Sequence, residues 1–233
     1  MSDSMIHEIR RFEVLDSSNA YCFRNADSIQ SGTIVMAEYQ SEGKGTLDRR
    51  WQSNAHENLL FSIVYKDENF VSKSLFSLRI ALAITIALKE YGLSSLIKWP
   101  NDIMVDRQKI AGILIEIKQH VCVVGIGINI NQQEFPVALH ATSLINQIHI
   151  KTEPVGVLLK VLDVLDEVLL MDDGQVRLNY RAVLDQKGQR IVVKINHTKV
   201  LATIIDIDDD GFLVVEVDQD QRITIHSKAL LER

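Results

Sequence analysis

The sequence is short of cysteine, carries no excess of basic residues and contains no long apolar run, and each shortage closes off a class of protein. Its two cysteines, Cys22 and Cys122, stand far apart in apolar or aromatic surroundings. Two cysteines and seven histidines show no metal-ligand spacing, so neither a disulfide framework nor a zinc site is expected. Both thiols should be reduced, with Cys122 filling space in a strand as a small apolar residue. A net charge of −6 supplies no basic face of the kind that duplex nucleic acid demands, so no DNA partner is expected. No apolar stretch is long enough to span a bilayer, and no cationic-then-apolar leader opens the chain. No membrane partner and a cytoplasmic location are the corresponding expectations.

What is present is an ordinary globular composition. With 233 residues, 46% of them hydrophobic and 24% charged, the chain has room for one large domain or a medium one with a small companion. The most informative stretch is 98–131, KWPNDIMVDRQKIAGILIEIKQHVCVVGIGININ. Apolar β-branched runs separated by polar turns mark strands at 96–99, 103–105, 110–117 and 121–130. Lys98, Asn101, Asp102, Lys109, Gly112, Gly125, Gly127 and Asn129 sit along this stretch, in the strands or the turns that join them. Glycine inside a strand marks a place where a ligand or another backbone comes close. A sheet that gathers lysines, amides and bare backbone suits a small anionic molecule.

Along the rest of the chain, residues 1–10 read as a frayed lead-in with no helix-turn-helix pattern. Asp16, Ser17, Ser18 and Asn19 precede a short helix over 20–26, where their oxygens are suited to capping. Thr33–Gln40 and 58–65 read as strands. Between them lies SEGKGTLDRRWQS, in which glycine backbone, Lys44, Arg49, Arg50 and the Trp51 plane could meet a phosphate and a base. A helix over 72–91, apolar nearly all round and ended by Gly92, must be buried. The segment 135–150 reads as loop, with His140 and His149 as surface or capping residues. Pro154 opens a further helix and another runs over 173–185. From 190 to 231 short strands and turns suggest a small five-stranded barrel. Asp206 to Gly211 starts like a calcium loop, but Val217 stands where a bidentate carboxylate is needed, so it reads as a hairpin turn.

Three pieces in order, KWPND, KIAGILIE and GIGIN, resemble the catalytic core of the biotin–protein ligases. Ser17 and Ser18 are similar to that family's D-S-T-N element, with serine in place of threonine. The 43–51 loop resembles its G-R-G-R-x-G-R-x-W element through Gly43, Lys44, Gly45, Arg49 and Trp51, but departs from it at Thr46 and Asp48. The resemblance implies an α+β catalytic domain (1–186), a mixed or antiparallel sheet with helices packed on it, and a C-terminal SH3-like barrel (187–233). It implies biotin and ATP as substrates, Mg²⁺ carried by phosphate, and a biotin carboxyl carrier protein domain as acceptor. A homodimer through the sheet is a further expectation.

By the same resemblance Lys109, Lys98 and Asp102 are the catalytic candidates. Ser17, Ser18, Asn19, Gln40, Gly43, Lys44, Lys109, Gly112, Gly125 and Gly127 are the biotin-binding candidates. Lys44, Thr46, Arg49, Trp51, Asn101 and Asn129 are the adenylate-binding candidates. No protein metal ligand is implied. The competing readings are a lipoate- or octanoate-transferring enzyme of the same superfamily and a non-catalytic binding protein or regulator.

Overall fold

The computed structural model describes residues 8–47, 49–66, 73–195, 198–217, 221–227 and 230–232. Its body is a sheet of β1 (Glu8–Leu15), β2 (Thr33–Gln40), β3 (Asn58–Lys66), β4 (Leu96–Lys98), β5 (Asp102–Val105), β6 (Gln108–Lys118) and β7 (Val121–Asn129). The strand order is β1-β2-β3-β7-β6-β5-β4. β1 and β2 run parallel, and the remaining neighbours are antiparallel, which makes the sheet mixed, as expected.

Helices α1 (Ser18–Arg24), α2 (Lys73–Lys89), α3 (Leu144–Ile148), α4 (Pro154–Leu170) and α5 (Asp173–Ala182) accompany the sheet. Ile80, Ala81, Leu82, Ala83, Ile84, Ala87 and Leu88 of α2 are all buried, because α2 packs on β4, β5 and β6 and is flanked by α4 and α5. Gly92, at φ +79°, turns the chain out of that helix. The opposite face of the sheet is covered only in part. There α1 packs Cys22 onto Val35, Val64, Val121 and Val123 in a second, smaller cluster, and beyond its N-terminus the sheet borders a cavity.

β8 (Arg190–Ile195), β9 (Thr198–Ile207), β10 (Leu213–Val217), β11 (Gln221–Ile225) and β12 (Leu231–Glu232) form the SH3-like barrel, in the order β11-β10-β9-β8-β12. Its interior residues Val193, Ile204, Leu213 and Val215 are continuous with the main core. The β9–β10 connection is a hairpin turn, as expected. Asp208 Oδ1 accepts from the backbone N–H groups of Asp210 (3.0 Å) and Phe212 (2.8 Å), and Gly211 sits at φ +84°. Trp99 Nε1 donates to Gly211 O at 3.1 Å, fastening this turn to the main body.

Two segments depart from the sequence reading. Residues 8–10, expected in the lead-in, open the strand 8–15, while residues 1–7 lie outside the described residues. The strand carries Glu8, Arg10, Arg11 and Glu13 because an edge strand is wetted, which blurs its alternation. Within 135–150 the chain forms a 3₁₀ turn and α3, whose N-cap Ser143 accepts from Asn146 N at 3.4 Å. Five residues are too few to display a helical period. His140 and His149 terminate these turns in left-handed conformations, which agrees with a capping role.

A pair of glycine substitutions tests the docking of the barrel turn. Gly92 and Gly211 both have positive φ, but a Cβ at Gly92 meets open space, whereas one at Gly211 would lie 2.9 Å from Leu78 Cδ1. Gly92→Ala should cost about 1 kcal/mol, lowering Tm by about 3 °C. Gly211→Ala should cost roughly twice that or more, since packing strain adds to the backbone strain. Thermal unfolding of the two variants gives the comparison, and equal losses would show that the turn yields freely.

Candidate active site

The site is laid out by strand register. Successive cross-strand partners form one row, Lys98–Asp102–Gly112–Gly127–Leu60–Ala37–Phe12, running from one edge of the sheet to the other. Partners in such a row project from the same face. Gly112 and Gly127 are adjacent in it, so the middle of the row is bare backbone. The neighbouring row, Leu114–Gly125–Ser62–Val35, has a third gap at Gly125.

These gaps are filled from above. The Trp51 indole lies on the Gly112–Gly127 floor. A Cβ at Gly127 would sit 2.5 Å from its Cε2, and one at Gly112 3.0 Å from its Cζ3. A Cβ at Gly125 would lie 2.4 Å from Asn19 Oδ1. The three glycines read from the sequence as close-approach points are therefore that, and the approaching groups are side chains of this chain.

Lys109 reaches the floor through an irregularity. Gly112 and Lys109 are three residues apart, and regular alternation would send them to opposite faces. The β5–β6 register shifts between Ile103 and Met104, so that Met104 faces Lys109. Ile110 and Ala111 are both buried in the core, and Lys109 is re-aimed to the open face. There its Nζ donates to Asp102 Oδ1 at 2.6 Å and stands 5.3 Å from the Trp51 ring centroid.

At the far end, Ser17 caps α1 by accepting from Ala20 N at 3.4 Å. It also lines the cavity, so the capping reading and the site reading hold together. Asp16 Oδ2 and Oδ1 accept from Arg24 Nη1 and Nη2 at 2.5 and 2.8 Å, which holds the Asp16 carboxyl down to about 2. Gln40 Oε1 accepts from Ser18 N at 2.7 Å. Ser62 Oγ lies 2.6 Å from both Ser18 Oγ and Asn19 Oδ1, and Asn19 Nδ2 donates to Glu116 Oε2 at 2.8 Å.

Ser17, Ser18, Asn19 and Gln40 line one cavity with Lys44, Thr46, Trp51 and Asn101, as do Lys109, Gly112, Gly125 and Gly127. Asp102 stands behind Lys109, and Lys98 lies one strand further out, off the cavity wall. Asn101 Nδ2 donates to Ile113 O at 2.7 Å, fastening the turn that carries it to β6. Asn129 is 3% exposed, and its Nδ2 donates to Thr142 O at 2.9 Å, so it braces the end of β7. Gly43 and Arg49 face a second groove, between the 42–50 loop and the barrel residues Asp210, Phe212 and His226. The loop is a hairpin in which Gly45 N donates to Arg49 O at 2.7 Å and Trp51 N to Gly43 O at 2.9 Å. Asp48 lies outside the described residues.

Sequence reasoning missed Ser62 and Glu116. Ser62 is the lone small hydroxyl of an otherwise apolar strand core and is 0% exposed. A buried polar group requires partners, which was the available signal. Glu116 carries no signal of its own beyond closing the KIAGILIE motif.

The model of the biotin/lipoate A/B protein ligase family matches residues 11–132, and that of the biotin protein ligase C terminal domain matches residues 188–227. The chain belongs to the biotin/lipoate A/B protein ligase family. It is 29% identical over 203 residues to the bifunctional ligase/repressor BirA of Bacillus subtilis, covering 81% of this chain and 62% of that protein. It is also 29% identical over 200 residues to the biotin–[acetyl-CoA-carboxylase] ligase of Mycobacterium tuberculosis, covering 80% of this chain and 74% of that one. A biotin protein ligase from Aquifex aeolicus, solved with biotin and ATP, superposes with a TM-score of 0.87 at 24% identity. That likeness covers 97% of this chain and 98% of the other, and it shows the fold. The chain thus spans less than two thirds of the length of the Bacillus relative and nearly the whole of the Aquifex structure.

In this family member the Trp51 lid gives an optical readout of the floor. Gly127→Ala would drive a methyl into the indole, so Trp51 should be displaced toward water and its emission should move to the red. Trp99 is 3% exposed, leaving Trp51 as the reporter of the change. Gly156→Ala, whose Cβ meets nothing within 4 Å, is the control. An unshifted spectrum in Gly127→Ala would place the ring elsewhere in solution.

Proposed function

We propose that this chain is an ATP-dependent biotin–[biotin carboxyl-carrier protein] ligase. The observation that carries the reading is the cavity, in which hydroxyls and an amide at one end, a glycine floor in the middle and Lys109 at the other end form one continuous wall. A fused ring with a carboxylate-bearing tail needs such a sequence of surfaces. Ser17, Ser18 and Gln40 take the polar ring, Gly125 and Gly127 leave it room by seating Asn19 and Trp51 close to the sheet, and Lys109 takes the carboxylate. The adenine is held by Trp51 and Asn101, while Asn129 braces the end of β7, and the phosphates are held by Lys44, Arg49 and the glycine backbone of the loop. Mg²⁺ belongs to the nucleotide, held by its phosphate oxygens.

In the first step a carboxylate oxygen attacks the α-phosphorus of ATP, the P–O bond to pyrophosphate breaks, and an acyl adenylate results. Stabilising charge at phosphorus is the main demand, and a lysine on a flexible stem meets it. Lys109 rests on Asp102, and turning to the substrate oxygens releases part of that carboxylate. In the second step an acceptor lysine Nζ attacks the acyl carbonyl and AMP leaves. Asp102 then orients that amine or takes its proton, and Lys98 adds positive potential beside it.

The acceptor is a biotin carrier domain, DNA is not a partner, and pairing through the exposed sheet edge at β1 gives a homodimer. The catalytic domain is taken as 1–186 and the barrel as 187–233. The lipoate reading is less favoured, because the matched C-terminal domain and the relatives named above belong to biotin ligases.

The test is biotin-dependent exchange of label between pyrophosphate and ATP, followed by labelling of one lysine on a carrier domain. Exchange that ignores biotin would retire the proposal. Lys109→Gln should lower exchange by about two orders of magnitude, the usual scale for one preorganised charge contact. Its stability should be kept, since the Lys109 side chain remains 30% exposed.

Thr46 provides a graded test. It lines the cavity with a neutral hydroxyl where the resembling loop carries arginine, a difference of about 1–2 kcal/mol in contact with phosphate. Thr46→Arg should slow release of the adenylate roughly tenfold while leaving its formation rate nearly unchanged. A pulse–chase measurement gives both rates, and equal release rates would mean that position 46 faces away from the phosphate.

A further inference from the structure

We propose that Glu116 is a positioning residue that fixes the hydrogen-bond polarity of the ring end of the cavity, and so selects a ligand ring that presents an N–H group to Ser18. The proposal rests on the biotin reading above for the identity of that ring. The wiring itself is argued from the chain alone.

A carboxylate only accepts hydrogen bonds. Glu116 Oε2 accepts from Asn19 Nδ2 at 2.8 Å, and Leu114 O lies 3.4 Å from the same nitrogen. The Asn19 amide is therefore turned with its nitrogen toward β6 and its Oδ1 toward Ser62. Oδ1 has no hydrogen, so its 2.6 Å contact with Ser62 Oγ uses the hydrogen of Ser62. A serine hydroxyl has one hydrogen to give. The second 2.6 Å contact, between Ser62 Oγ and Ser18 Oγ, must then use the hydrogen of Ser18.

The result is a directional chain from Ser18 to Ser62 to Asn19 to Glu116. Ser18 Oγ has spent its hydrogen and turns lone pairs toward the cavity. Gln40 Oε1, 3.3 Å from Ser18 Oγ, is a weak competitor, because it already accepts Ser18 N at 2.7 Å. Ser18, Asn19 and Ser62 are 3%, 3% and 0% exposed, which leaves little room for water to supply substitute partners. A cavity wall wired in this way accepts from the N–H of a cyclic urea and repels a ring carbonyl or ether oxygen at the same place.

The charge at position 116 holds the direction. With glutamine there, the side chain can present either Oε1 or Nε2, and where Nε2 donates to a flipped Asn19, the nitrogen of Asn19 donates to Ser62. Ser62 would donate to Ser18, and Ser18 would point its hydrogen into the cavity. Glu116→Gln is nearly isosteric at a half-buried position, so the fold should survive while the wall loses its fixed acceptor direction.

Calorimetric titration of the full chain with biotin reads the effect. Glu116→Gln should weaken biotin binding roughly tenfold or more, the scale of one mismatched polar contact, with the KM for ATP unchanged. The double variant Asn19→Asp with Glu116→Gln restores the direction. The new amide at position 116 then donates to the new carboxylate at position 19, and that carboxylate accepts from Ser62. It should recover binding to within about threefold of the parent, a recovery that general loosening of the site would not give. The proposal is overturned if Glu116→Gln binds within about twofold of the parent, or if the double variant stays as weak as the single one.

If the unmodified chain takes up no biotin, the ligand reading fails separately, and the wiring is judged without ligand. The Asn19 side-chain NH₂ resonance should move on Glu116→Gln and return in a Glu116→Asp variant. A resonance indifferent to the residue at 116 would overturn the wiring.

Discussion

The site depends on one register, the pairing of Gly112 with Gly127 across β6 and β7. Any side chain at either position would fill the floor on which Trp51 rests, with a Cβ at Gly127 only 2.5 Å from the indole. A slip by one residue would replace both glycines with isoleucine or alanine and turn the bare face into the core. The apolar partners on the other face, Ala111, Ile113, Ile126 and Ile128, prevent that slip, because they are buried against the helices. Packing on one side of the sheet therefore fixes the recognition surface on the other.

The charges follow from the same pairing. Asp102 is in register with Gly112, so its carboxylate points over the glycine gap. A buried carboxylate needs a counter-charge, and Lys109 is brought to it by the shift between Ile103 and Met104. A regular strand would leave Lys109 pointing into apolar surroundings and take this cation away from Asp102. The irregularity in β6 is the device that places a cation at the end of a cavity whose sheet-borne walls are otherwise neutral, the other cation, Lys44, coming from the loop.

The hydroxyl end is assembled differently. Ser17 and Ser18 are held by the start of α1, which is anchored by the Asp16–Arg24 pair below and by Ser62 and Gln40 from the sheet. The start of α1 supplies Ser17, Ser18 and Asn19, and β2, β3 and β6 supply Gln40, Ser62 and Glu116, so the ring end exists only when α1 is seated on the sheet. Its stability comes from the small apolar cluster beneath α1, around Cys22, Val35 and Val64.

Much of this is legible in order along the chain. The strand runs, the all-apolar helix, the barrel and the glycine positions are local signals, set by side-chain alternation and turn chemistry, and they supply the elements and most of the cavity wall. Thr33–Gln40 is legible to the residue because its boundaries carry strong turn signals. The wetted strand Glu8–Leu15 and the short helix Leu144–Ile148 are not legible, since one blurs its alternation with charge and the other is shorter than a period can reveal. What only the tertiary structure decided was which way groups point: that Lys109 leaves the core face, that Trp51 lies on Gly127, that Ser62 closes a chain of hydrogen bonds between Ser18 and Asn19. Orientation across strands depends on register and on irregularities in it, and these are settled by packing between residues far apart in the chain.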